Sequence, residues 1–123
     1  MVQVLGIGGF FFRAKDPAKL AEWYDRHLGV TKMGNYGDPE WNQEAGPTVF
    51  APFESDTDYF GRKEQSWMIN FRVANLDDAI ADLRAAGIEV DVDPELHPNG
   101  RFARLVDPEG NPVELWEPLQ TSV

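Results

Sequence analysis

Few side chains in this 123-residue chain can do chemistry, and the absences narrow the choice first. There is no cysteine and there are two histidines, His27 and His97. Disulfide frameworks, thiolate zinc sites, iron–sulfur clusters and cysteine nucleophiles are thereby excluded. His27 falls at the end of a helical pattern, as a cation beside the negative end of the helix dipole. His97 falls in the turn His97-Pro98-Asn99-Gly100. Asp56-Thr57-Asp58-Tyr59-Phe60-Gly61 starts like a calcium loop, but Phe60 stands where a third oxygen is needed and Trp67 where the bidentate Glu should be. Gly6-Ile7-Gly8-Gly9 lacks the third spaced glycine and opens no helix, so it is no dinucleotide loop. The carboxylate that stands out is Glu114, inside the apolar run Pro112-Val113-Glu114-Leu115-Trp116. In an apolar cleft its pKa would rise and it could serve as a proton-transfer base. The alternative is a salt bridge to Arg13 or Arg72 that closes the polar part of a core.

Charge and composition bound the partners. Eleven Lys+Arg against 21 Asp+Glu leave a net charge of −10, with 42% hydrophobic residues. That is the balance of one soluble globular domain. The charge repels phosphate backbones, so nucleic acid is not expected; it favours a cationic ligand or serves solubility. The apolar run over residues 2–12 lacks a basic leading segment and is too short for a bilayer. It reads as a buried strand, and the protein as cytoplasmic.

An internal repeat positions these groups. Phe12-Arg13-Ala14 recurs as Phe71-Arg72-Val73, each ending a β-rich run. A helix cap follows each copy, Asp16 before Pro17 and Asn75 before Leu76. Leu20, Trp23, Tyr24 and His27/Leu28 give the helical period over about 17–27; Leu76, Ala79, Ile80, Leu83 and Ala86 give it over about 76–86. Gly29 and Gly87 end the helices. Short strands follow: about 30–33, 41–45 and 47–51 in the first copy, and 88–92, 101–106 and 113–117 in the second. The chain is thus one domain over 1–123, with modules at about 1–53 and 66–118 and a linker at about 54–65. Each module reads βαβββ. Two such sheets cover each other only partly and leave a cleft between them.

Alternation along the strands lines that cleft. Gly9, Phe11 and Arg13 share one face, with Phe10, Phe12 and Ala14 left for the helix. The repeat strand offers Met68, Asn70 and Arg72; the last strands offer Thr48 with Phe50, and Glu114 with Trp116. One of Gln43 and Glu44 faces the cleft. Trp41 and Trp67 read as packing, Arg101 and Arg104 as solvated strand residues, and Asp56, Asp58 and Tyr59 as a solvated loop, the alternative being a segment over the cleft mouth. An aromatic, apolar cleft with a few polar groups is the composition of a small-molecule site.

Asp107-Pro108-Glu109-Gly110-Asn111-Pro112-Val113-Glu114-Leu115 resembles the C-terminal DP-x-GN-x-x-EL signature of the vicinal oxygen chelate superfamily, which includes glyoxalases, bleomycin-resistance proteins and extradiol dioxygenases. The segment from Phe12 to Val30 is a looser match. The resemblance implies an α+β fold: tandem βαβββ modules forming an incomplete barrel with a central cleft. It implies a homodimer, side by side or with exchanged modules. In metal-dependent members four ligands come from facing strands, and the corresponding positions here are Gly9, Thr48, Met68 and Glu114. Only Glu114 is a competent ligand for a hard cation, so no metal site and no cofactor are expected. The expected function is a small-molecule-binding protein holding its ligand in an acidic, aromatic-lined cleft by Arg13, Thr48, Phe50, Met68, Asn70, Arg72, Glu114 and Trp116. The alternative is a glyoxalase-type lyase or isomerase with Glu114 as metal ligand or general base.

Overall fold

The computed structural model describes residues 1–32 and 37–119. Helix α1 (Pro17–Leu28) begins where Asp16 accepts a hydrogen bond from the Lys19 N–H at 3.2 Å and Pro17 takes the first turn. It ends at Gly29, whose φ of 68° is the left-handed exit; the Gly29 and Val30 N–H groups close onto Asp25 and Tyr24. Strand β1 (Ile69–Arg72) leads through the Asn75 cap into α2 (Leu76–Ala85), then to β2 (Asp91–Val92), β3 (Gly100–Val106) and β4 (Pro112–Pro118). The sheet order is β1-β4-β3-β2, with β1 parallel to β4 and the other pairs antiparallel. This is a mixed α+β fold around an open sheet.

Alternation in β3 and β4 divides the sheet cleanly. Ala103, Leu105, Val113 and Leu115 turn to one face and pack with Leu76, Ile80 and Leu83 of α2 and Leu20 and Tyr24 of α1. Each such buried side chain contributes about 1.5–3 kcal/mol. Both helices therefore cover the same face, and the opposite face is left for Phe102, Arg104, Glu114 and Trp116.

The Asp107–Pro112 turn ties these parts together. Asp107, 3% exposed, accepts hydrogen bonds from the Tyr24 hydroxyl (2.7 Å), the Glu109 and Asn111 N–H groups (2.8 and 3.0 Å) and the Asn111 amide (2.8 Å). Burial first, then the bond to Asp107, raises the Tyr24 phenol well above its ordinary pKa. The Glu109 carboxylate accepts from the Lys15 and Asp16 N–H groups ahead of α1, and Glu117 of β4 accepts from the Leu76 N–H that opens α2. One hairpin thus holds the start of both helices.

The first half departs from expectation. Residues 9–14, 41–45 and 47–51 lie in no strand ladder; of the 30–33 segment, Met33 lies outside the described residues. The run at 2–12 is not buried: Val2, Val4, Leu5 and Phe11 are exposed, Phe11 at 91%. Apolarity states a demand for burial but not who meets it. The four strands of the second half pair with one another in the order β1-β4-β3-β2, and no described segment of the first half adds to either edge. Side-chain alternation still holds there, since Phe10 and Phe12 turn inward onto Trp67 (5.0 and 4.8 Å) and Phe12 onto Tyr24 (6.5 Å). Trp41 likewise packs on Phe71 at 6.1 Å.

Candidate functional site

Register puts Asp91, Arg104, Glu114 and Asn70 in one row across the helix-free face, with Phe102, Trp116 and Arg72 in the next. Glu114, 7% exposed, lies near the middle. Its carboxylate accepts from the Asn70 amide at 2.7 Å and from the Tyr59 hydroxyl. The salt bridge weighed for Glu114 does not form. Arg72 instead donates to the Glu44 backbone carbonyl at 2.7 Å, while Arg13 is exposed outside the sheet.

Tyr59 and Arg104 change the picture of a solvated loop and a solvated strand residue. The Arg104 guanidinium sits 4.3 Å over the Tyr59 ring and donates to the Tyr59 carbonyl at 2.6 Å. Phe53 stacks with the Tyr59 ring, 5.8 Å between centroids. Partial burial, then the bond to Glu114, pushes the Tyr59 phenol up to about 12. At neutral pH the phenol is therefore a neutral donor and Glu114 the acceptor.

The second row is an aromatic platform. Phe102 and Trp116 lie parallel, 2° apart in plane and 6.1 Å between centroids. The Trp116 indole donates to the Asn99 carbonyl at 2.8 Å, which fixes its plane. His97 meets the edge of Phe102 at 5.7 Å and pairs with Asp93 at 2.8 Å. That partner raises the imidazole pKa, while the Glu95 N–H and then His97 lower that of Asp93. His97 therefore belongs to the border of this face, although sequence reading left it as a turn residue. A separate groove of about 400 Å³ between α1 and the 108–109 turn is lined by Lys19, Trp23, Arg26 and His27, away from Glu114.

Of the residues expected to line the cleft, Asn70, Arg72, Glu114 and Trp116 share this face, and Met68 sits half-buried just before β1. Arg13, Thr48 and Phe50 are exposed on segments outside the sheet, Phe50 at 87%. Among the described residues no three His, Asp or Glu side chains converge. Sequence reading missed Arg104, Phe102 and Asp93, and weighed Tyr59 only as a loop residue that could lie over the cleft mouth. The same alternation applied to 101–106 would have placed Phe102 and Arg104 opposite Trp116 and Glu114; nothing in the polar linker tied Tyr59 to Glu114.

The family model described as a glyoxalase-like domain matches residues 9–116. The chain belongs to this family. The glyoxalase-like domain also shares its fold with solved structures. TnmS3, an antibiotic binding protein from Streptomyces sp. CB03234, is 23% identical over 97% of this chain and 100% of its own, with a TM-score of 0.65. A glyoxylase/bleomycin resistance protein/dioxygenase domain from Frankia sp. EAN1pec is 16% identical over 95% and 100%, with a TM-score of 0.58. A superfamily member from Sphaerobacter thermophilus DSM 20745 is 21% identical over 85% and 90%, with a TM-score of 0.54. The curated proteins give no sequence match. No helix among the described residues of the glyoxalase-like domain is long and apolar enough to cross a membrane.

Proposed function

We propose that this glyoxalase-like chain is a small-molecule-binding protein that seats an aromatic ligand on the helix-free face of its sheet without a resident metal. The observation that carries this is the setting of Glu114. A buried carboxylate stands beside the Phe102–Trp116 platform, and both its oxygens are engaged by neutral donors, Tyr59 and Asn70. A hard divalent cation wants several oxygen or imidazole donors; the other positions matched to metal ligands hold Gly9, Thr48 and Met68, so this donor set does not suit one. The −10 charge favours positively charged ligands at the rim, and TnmS3 is an antibiotic binding protein. Calorimetric titration with a planar aromatic cation such as ethidium, alongside elemental analysis, tests the reading. The expected result is saturable binding to metal-free protein with quenched tryptophan emission, the quenching reduced by Trp116→Phe, and affinity weakened on the order of tenfold by Glu114→Gln. Absence of binding at millimolar ligand, or binding only after a divalent metal is added, would overturn it.

The chain is further proposed to act as a homodimer in which a second copy covers the exposed apolar segments of the first half. Leu5, Phe11, Val49 and Phe50 are each exposed, and segments 9–14 and 47–51 lie in no strand ladder. Sedimentation equilibrium at micromolar concentration is expected to give twice the chain mass, falling toward a monomer for Phe11→Glu with Phe50→Glu. A monomeric wild type would refute the dimer.

A further inference from the structure

We propose that Tyr59 occupies the seat of the ligand, and that the group seated there when ligand binds is a phenol. This rests on the reading of the helix-free face as the ligand site and names the chemistry of its centre. Tyr59 comes from the connection between the two halves, yet its hydroxyl reaches Glu114 on β4 and its ring lies under the Arg104 guanidinium on β3. Arg104 and Glu114 are direct partners in the β3–β4 register, a position where opposite charges ordinarily meet. They make no ion pair: Arg104 lies over the tyrosine ring and donates to its backbone carbonyl, while Glu114 accepts from the hydroxyl of the same residue. The arrangement is incomplete: Nε of Arg104 is buried without a hydrogen-bond partner, and such a group is left unpaired only at a cost.

The seat defines its occupant. A π-face must lie under Arg104, an O–H must be offered to Glu114, and an acceptor oxygen must reach the guanidinium, a place the Tyr59 carbonyl now fills. A plain benzene ring leaves Glu114 short of a donor. A ring bearing a carboxylate at the hydroxyl position is repelled by Glu114. A phenol carried by a larger aromatic molecule supplies the π-face and the O–H, while the Tyr59 backbone carbonyl keeps its place on the guanidinium. Binding then swings the Tyr59 side chain out and replaces it by the same functional group from the ligand.

The free side chain of tyrosine, p-cresol, is the probe. It is titrated into wild type, Tyr59→Phe and Tyr59→Ala, with toluene as the ring lacking the hydroxyl, following the Trp116 indole and Arg104 Nε–H signals by NMR. Tyr59→Ala is expected to bind p-cresol at least about tenfold more tightly than wild type, and toluene about tenfold more weakly than p-cresol. Tyr59→Phe, which keeps the ring but loses its anchor on Glu114, is expected in between. Equal p-cresol affinity in all three proteins, or equal affinity for toluene and p-cresol in Tyr59→Ala, overturns the proposal. Should the alanine variant fail to fold, the comparison of Tyr59→Phe with wild type decides alone: tighter p-cresol binding supports the displaced tyrosine, and unchanged binding removes it. The two readings separate. Ethidium binding without any p-cresol effect removes the phenol seat and leaves the ligand face. The p-cresol effect without ethidium binding keeps the phenol seat and removes the preference for a cationic aromatic.

Discussion

Asp107→Ala is expected to lower the stability of the chain by about 3–5 kcal/mol, measured by urea unfolding. The size follows from what the carboxylate leaves behind. Four donors converge on it, and Tyr24 and Asn111 are themselves buried, so alanine strands a phenol and an amide away from water. Tyr24→Phe removes one of the four donors and leaves Asp107 three, so it is expected to cost only about 0.5–1.5 kcal/mol. The contrast separates a buried acceptor that organises a turn from a single tyrosine bond. A loss for Asp107→Ala no larger than that of Tyr24→Phe would show that water or rearrangement satisfies the orphaned donors. Since the same turn starts β4 and carries Glu109 to the front of α1, the damage is expected to spread to the position of Glu114.

That turn also shows what sequence alone could and could not tell. Its DP-x-GN pattern was recognisable on sight, but its physical reason is a set of four bonds, one of them crossing to Tyr24 on α1. Helices α1 and α2 were legible within a residue or so at their ends because cap, period and terminal glycine agree over one short stretch. Strands β3 and β4 were legible because both faces are occupied, one by helices and one by the aromatic and charged row, and alternation records that. The first-half strands were not, because hydrophobic alternation describes a strand's faces and says nothing of which edge it joins. Asn70 and Glu114 were placed on one face from alternation, and the structure joins them at 2.7 Å. The partner of Tyr59 was not legible for the opposite reason: the residue sits in a polar connection with no period, so a place over the cleft mouth was only an alternative to a solvated loop, and the path of the chain brings it to Glu114.

Gly100→Ala is expected to be damaging at the site as well as to the fold. The residue has φ of +134°, a conformation side chains rarely adopt, and an added Cβ would lie 2.2 Å from the Glu117 carbonyl oxygen and 2.8 Å from the Trp116 indole nitrogen. The first of these is backbone of the neighbouring strand, in a ladder where Gly100 pairs with Pro118, so it cannot step aside without opening β3 from β4. Gly87 supplies the control, because it too has positive φ (+83°) but open space around its Cβ position. Gly87→Ala should cost about 1–2 kcal/mol from backbone strain, whereas Gly100→Ala should cost at least about 3 kcal/mol, strain and collision together. Equal losses would mean the strands part easily there. The collision with the indole reaches further, because the Trp116 plane is held by its bond to Asn99, one residue before Gly100. A methyl group pressed against that nitrogen breaks the bond and tilts the ring away from its 2° alignment with Phe102. Under folding conditions Gly100→Ala is therefore expected to shift Trp116 emission and weaken aromatic-cation binding, while Gly87→Ala leaves both unchanged. The turn glycine thus sets the plane of the aromatic platform, and the binding surface depends on backbone that no ligand touches.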